Sequence, residues 1–147
     1  MSLPDLSDLR ILFVDDAVQM RQIVAMILKK LGCTEFQAAD SVANAETSLG
    51  LERYDCILLD YSMGEAKGPD LLRKLRADHR AINRETPVIM LTGHAEAHII
   101  NDAVEAGANA YLVKPVLPDA LGARILDVVK KAQKSGAAPS EVSWKAG

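Results

Sequence analysis

Apolar residues along this chain alternate between two rhythms. Arg10 to Val14 is a continuous apolar run closed by Asp15-Asp16, which predicts a strand covered on both faces. From Met20 the apolar positions fall at Met20, Ile23, Val24, Ile27, Leu28 and Leu31, the spacing of an amphipathic helix, and Gly32 is placed to end it. Met20, Met26 and Met90 are expected as core fillers. Glu35 to Ala39 predicts a second strand, followed by a helix that Asp40 or Ser41 caps and that ends near Gly50. Tyr54 to Leu59 predicts a third strand terminated by Asp60, and Tyr61 to Gly68 a loop. Pro69 then fits the first turn of a helix with Leu71, Leu72 and Leu75 on one face. The pattern repeats twice more. Pro87 to Leu91 is a strand, Glu96 to Ala106 a helix with Gly107 beyond it, Ala110 to Val113 a strand, and Leu121, Ile125, Val128 and Val129 mark a last helix reaching about Lys134.

Five strand–helix units, each joined by a short crossover, imply a five-stranded parallel sheet with helices on both faces. A closed eight-fold barrel is excluded, since it takes about 250 residues. The 147 residues therefore suit one α/β domain over residues 9–133, with residues 1–8 as a leader and 134–147 as a flexible tail in which Trp144 is the large apolar residue. With 49% hydrophobic and 25% charged residues, the chain is able to bury a core and lies far from the composition of disorder. The net charge of −3 and the six aromatics argue against nucleic-acid binding, which calls for a basic stripe and stacking platforms. Cys33 and Cys56 lack metal-ligand spacing and are expected as free thiols in a reducing compartment. No secretion signal and no apolar run of the roughly 20 residues that span a bilayer is visible, so a soluble, cytoplasmic protein is expected.

In an open parallel sheet, ligands bind beyond the carboxyl ends of the strands. The residues there are Asp15, Asp16, Asp60, Thr92 and Lys114. Three carboxylates converging on one crevice repel each other, and one ammonium leaves the site at −2. A hard divalent ion such as Mg²⁺ cancels that charge with oxygen ligands. A carboxylate nucleophile, a metal, a hydroxyl and an ammonium are the equipment of phosphoryl transfer through an aspartyl phosphate. His94 and His98 lie one helical turn apart, but a third metal ligand is not apparent.

At these residues the chain resembles the receiver domains of two-component response regulators, from about Leu9 to Lys131. The matching pieces are Ile11-Leu-Phe-Val-Asp-Asp16, Cys56-Ile-Leu-Leu-Asp60 with Met63 and Gly68, Val88-Ile-Met-Leu-Thr92-Gly93, and Gly107 leading through Tyr111 to Val113-Lys-Pro115. The resemblance implies a flavodoxin-like, doubly wound fold with strand order 2-1-3-4-5. It implies Asp60 as phosphoacceptor, Mg²⁺ held by Asp15, Asp16, Asp60 and the backbone carbonyl of Ser62, and Thr92 and Lys114 on the phosphoryl oxygens. Tyr111 is similar to the family's aromatic switch residue, Lys114-Pro115 to its cis peptide, and the fourth helix, fifth strand and fifth helix to its output face. Implied partners are a histidine kinase or histidine phosphotransfer protein and a downstream effector, or a phosphorylation-dependent homodimer, with no nucleic acid and no membrane. Gly64 departs from the family, standing where proline is usual, and the loop is expected to be less restricted for it. Ser62 and His94 occupy positions that in this family influence loss of the phosphoryl group to water.

Other functions remain open from the residues alone. A small metal-dependent phosphatase or phosphotransferase would use the same carboxylate, but needs a substrate pocket. A flavin or nucleotide protein on this fold calls for a glycine-rich first loop, where this chain has Asp15-Asp16. A phosphate-independent interaction module would not need the full set of chemical residues. Only 16 residues follow Lys131, which suggests either a stand-alone receiver acting by protein contact or part of a longer chain.

Overall fold

A computed structural model describes residues 3–134, and the tail with Trp144 lies outside the described residues. The elements alternate as expected: β1 (Arg10–Val14), α1 (Val18–Lys30), β2 (Glu35–Ala39), α2 (Val42–Leu51), β3 (Cys56–Asp60), a two-strand hairpin of β4 (Ser62–Met63) and β5 (Ala66–Lys67), α3 (Gly68–Ala77), β6 (Val88–Thr92), α4 (Ala97–Ala106), β7 (Ala110–Val113) and α5 (Pro118–Lys134). The main sheet runs β2-β1-β3-β6-β7 with all pairs parallel. Its five strands therefore stand in the order 2-1-3-4-5, that of a flavodoxin-like doubly wound fold.

The strand pleat sends alternate side chains into two cores. Ile11, Phe13, Leu58, Ile89 and Leu91 meet α1 and α5 on one face. Leu12, Val14, Ile57, Leu59 and Met90 meet α2, α3 and α4 on the other. The continuous apolar runs of β1, β3 and β6 are read out on both faces, as a sandwiched parallel strand requires. Cys33 and Cys56 are buried and free. No helix among the described residues is long and apolar enough to cross a membrane.

Several local expectations are corrected. The buried stripe of α1 is narrower than the sequence pattern: Val24, Ile27 and Leu28 are covered, whereas Ile23 is exposed and Met26 is 70% exposed. Each helical step turns about 100°, so a sheet that covers Val24 and Leu28 leaves Ile23 beside the seam and Met26 facing away from it. Met20 packs at the margin of the core and Met90 in its centre. Of the two caps expected for α2, Ser41 serves, its hydroxyl accepting from the Asn44 N–H at 3.1 Å. Pairing begins at Cys56, because the Tyr54 N–H is taken by the buried Asn83 side chain at 2.8 Å.

The leader and the loop after Asp60 are also more structured than the sequence suggested. Leu6 is fully buried, and its N–H donates to the Leu31 carbonyl at 2.8 Å. The packed unit thus reaches N-terminal of Leu9. Within 61–68, Ser62 pairs with Lys67 and Met63 with Ala66, antiparallel. Gly64 has φ 65°, a left-handed value that primed hairpin turns demand and proline cannot adopt. Glycine here builds a paired turn in place of the unrestricted loop.

Candidate functional site

Register assembles the site. Val14 pairs with Leu59, so Asp15, just past β1, and Asp60, the last residue of β3, stand side by side despite lying 45 residues apart. Asp60 pairs with Leu91, which places Thr92 one step further on the next strand, and Thr92 in turn pairs with Val113. The Lys114 N–H donates to the Thr92 carbonyl at 2.7 Å, and the Lys114–Pro115 peptide is cis.

The Lys114 ammonium reaches back across the sheet end. Its Nζ lies 3.1 Å from Asp15 Oδ2 and 3.0 Å from Asp60 Oδ1. Both carboxylates are withdrawn from water, Asp15 at 0% and Asp60 at 5% exposure. Carboxylate oxygens of Asp15, Asp16 and Asp60 all lie within 4.8 Å of one another, with Asp16 open to solvent. Burying two acids beside one ammonium leaves the second acid short of countercharge. Burial accordingly pushes the Asp60 carboxyl above its ordinary range; Lys114 opposes this by hydrogen bonding, and the Asp15 charge adds to it. For Lys114 burial works downward, but its bonds to Asp60 and Asp15 outweigh it and hold the ammonium above its usual range.

The residues fit a hard divalent cation. They offer oxygen donors only, two of the three fixed in place by protein bonds, and a local charge that one ammonium leaves at −2. Asp15 is the most firmly held: its Oδ1 accepts from the Ala17 N–H at 2.9 Å, and its backbone carbonyl accepts from the Arg21 guanidinium at 2.9 Å.

Gly68 has a physical reason to be glycine. A Cβ there would run into the Asp60 carbonyl oxygen and approach Leu59 Cγ to 3.2 Å, so α3 starts against the Asp60 backbone. Thr92 is buried, and its Oγ accepts from the His94 N–H at 3.1 Å. Ser62 begins β4, two residues past Asp60, and its backbone N–H favours the charged form of that carboxylate. Tyr111 is 36% exposed on β7. His94 and His98 are exposed and form no metal cluster among the described residues.

Sequence reasoning singled out the acids, Thr92 and Lys114 because each stands at or just past the end of an apolar run. It missed Arg21, whose partner is a backbone carbonyl, and it missed the bond between Tyr61 and Asp102, 2.9 Å across two elements. Neither leaves a motif.

The model of the response regulator receiver domain matches residues 11–126. Chemotaxis protein CheY of Pseudomonas aeruginosa is 36% identical over 123 residues, covering 84% of this chain and 98% of that protein. Chemotaxis protein CheY-3 of Vibrio cholerae is 38% identical over 108 residues, covering 74% and 82%. Among solved structures, a CheY-like receiver domain from Methanospirillum hungatei superposes with TM-score 0.76 at 28% identity, over 91% of this chain and 99% of that one. The receiver domain of a sensor histidine kinase from Pseudomonas aeruginosa, solved with magnesium in its active-site cleft, does so with TM-score 0.75 at 27% identity, over 83% and 98%.

Proposed function

Since this chain belongs to the response regulator receiver family and is a receiver domain of two-component signalling, we propose that it switches by taking a phosphoryl group on Asp60 from a phosphohistidine. The donor is a histidine kinase or a histidine phosphotransfer protein. An Asp60 carboxylate oxygen attacks phosphorus, the P–O bond forms as the P–N bond breaks, and the electron pair leaves with the imidazole. The observation that carries this reading is the Lys114 ammonium, 3.0 Å from Asp60 and 3.1 Å from Asp15 at the end of the sheet. An ammonium there would meet the charge that gathers on the transferring oxygens.

Asp15, Asp16, Asp60 and the Ser62 carbonyl would hold Mg²⁺, which when bound neutralises charge on the phosphoryl oxygens. Lys114 gives up its bond to Asp60 Oδ1 to hold an incoming phosphoryl oxygen, keeping the one to Asp15. Thr92 exchanges its His94 N–H contact for the same group, and the space it vacates receives Tyr111, now at the surface. Val104, Tyr111, Val113 and Leu117 form the exposed apolar part of the α4–β7–α5 face. That face is where a downstream effector, or a second phosphorylated copy, binds in the cytoplasm. The protein is a phosphoacceptor that at most phosphorylates and dephosphorylates itself, without turnover of an external substrate.

Intact-mass spectrometry after incubation with acetyl phosphate, with and without Mg²⁺, tests the reading. One phosphoryl group is gained only with metal, and none by Asp60→Asn. Continuous release of phosphate from many esters would instead support a small metal-dependent phosphatase. No gain on the folded protein would leave an interaction module that works without phosphate.

A further inference from the structure

Tyr61 directly follows the acceptor and turns its ring into the core beneath α3 and α4, where it is buried. Its backbone is pinned on both sides: its N–H donates to the Leu91 carbonyl, and its carbonyl accepts from the Gly68 N–H, each at 2.8 Å. A buried phenol needs a partner for its hydroxyl. It finds one on α4, donating to Asp102 Oδ2 at 2.9 Å. The other Asp102 oxygen accepts from the guanidinium of Arg73 on α3, which also pairs with Asp70 at 3.1 Å. Burial pushes the Asp102 carboxyl up, but the bonds from Arg73 and Tyr61 outweigh it and hold the group below its usual range, as an ion.

Further along, Arg76 of α3 donates to the carbonyl of Gly107, the residue that caps α4, at 3.1 Å, and to Asn109 Oδ1 at 3.2 Å. So α4 is fastened to Tyr61, just past β3, and to α3 at its middle, and to α3 again at its C-terminal end. Its N-terminal end has no side-chain cap, and it follows Thr92 through only Gly93 to Glu96. The helix is held least where Thr92 would pull on it.

We propose that Tyr61, Asp102 and Arg73 form a latch that holds α4 in its unphosphorylated position and opposes phosphorylation of Asp60, an inference that rests on the phosphoacceptor reading above. The fixed ends of the latch are set by the sheet and by α3, so a shift of α4 with Thr92 must lengthen the bonds to Asp102. An interaction that stabilises one of two arrangements shifts their populations by its differential strength. Removing it favours the arrangement that accepts the phosphoryl group.

The test measures acetyl phosphate phosphorylation rates by intact mass, together with amide hydrogen exchange of the unphosphorylated protein, for wild type, Tyr61→Phe, Asp102→Asn and the double variant. Each single variant is expected to phosphorylate about 3- to 10-fold faster, a decade being 1.4 kcal/mol. The α4 amides should exchange faster in both while those of α5 do not. The double variant should match Asp102→Asn alone, because that substitution already weakens both bonds to Asp102 and Tyr61→Phe removes only one of them. A purely structural contact would lower the melting temperature without raising the rate. Variant rates equal to or below wild type, with wild type phosphorylated normally, overturn the latch and leave Asp60 as acceptor. Absence of any phosphoryl gain on wild type overturns the acceptor reading itself, and the coupling falls with it.

Discussion

Asp60 lies in an environment that disfavours its own charge. It is buried, it faces the buried Asp15, and it shares one ammonium with it. A carboxyl raised in the folded state contributes stability when protonated and loses it as pH rises through the folded value. At neutral pH the wild type therefore carries the full cost, and Asp60→Asn, which mimics the uncharged form, removes it. In chelator we expect the variant to be more stable by about 1 kcal/mol, or about 3 °C in melting temperature. The difference should narrow in a pH series as the wild type protonates on the way down to about 3.9, the unfolded carboxyl value. A variant that melts at or below wild type at pH 7 would show that the Lys114 bond outweighs the repulsion. At this scale the identities of the acids, Thr92 and Lys114 were legible, because each stands at the end of an apolar run. The sharing of Lys114 between two acids was not, since it depends on a separation of about 3 Å between residues that the sequence places 99 and 54 positions apart.

At the scale of elements, rhythm was a sound guide where burial is symmetric and a poor one where it is not. The strands β1, β3 and β6 are covered on both faces, so a plain apolar run identifies them. On α1 one face meets the sheet, and the apolar Ile23 and Met26 lie outside it. The hairpin after Asp60 is the larger departure. Its two pairs turn on Gly64 at φ 65°, beside the Asp16 carboxylate. Gly64→Ala should cost about 1 kcal/mol, the penalty of a left-handed residue with a Cβ. Gly64→Pro should cost more, because the ring fixes φ near −65° and the turn must be rebuilt. Urea unfolding of both variants checks the ranking; a proline variant as stable as wild type would mean that the paired turn contributes nothing.

At the scale of the whole molecule, the sheet divides the interior into two cores, and the N-terminal segment closes one of them. Leu6 fills the α1–α5 side, and Pro4 sits where a Cβ on Gly122 would come within 2.9 Å. Leu6→Ala should therefore cost about 3 kcal/mol, as for other buried leucines truncated to alanine. The urea midpoint should fall with an unchanged slope, since the surface exposed on unfolding is nearly the same. A loss below about 0.5 kcal/mol would mark residues 3–8 as a surface strap after all.

The sequence by itself determined the alternation of strands and helices, the single α/β unit, and the residue types gathered at the strand ends. Those follow from local propensity and periodicity, which act over a few residues at a time. Only the tertiary structure decided that Val14 stands opposite Leu59 and Asp60 opposite Leu91, and so that Asp15, Asp16 and Asp60 share one crevice with Lys114. It alone decided that Leu6 belongs to the core, that Gly68 must lie against the Asp60 backbone, and that Tyr61 reaches Asp102 on another helix. Each of these is a distance between residues remote in the chain. Register and packing set such distances, because the chain folds wherever burying apolar surface and pairing polar groups are satisfied together.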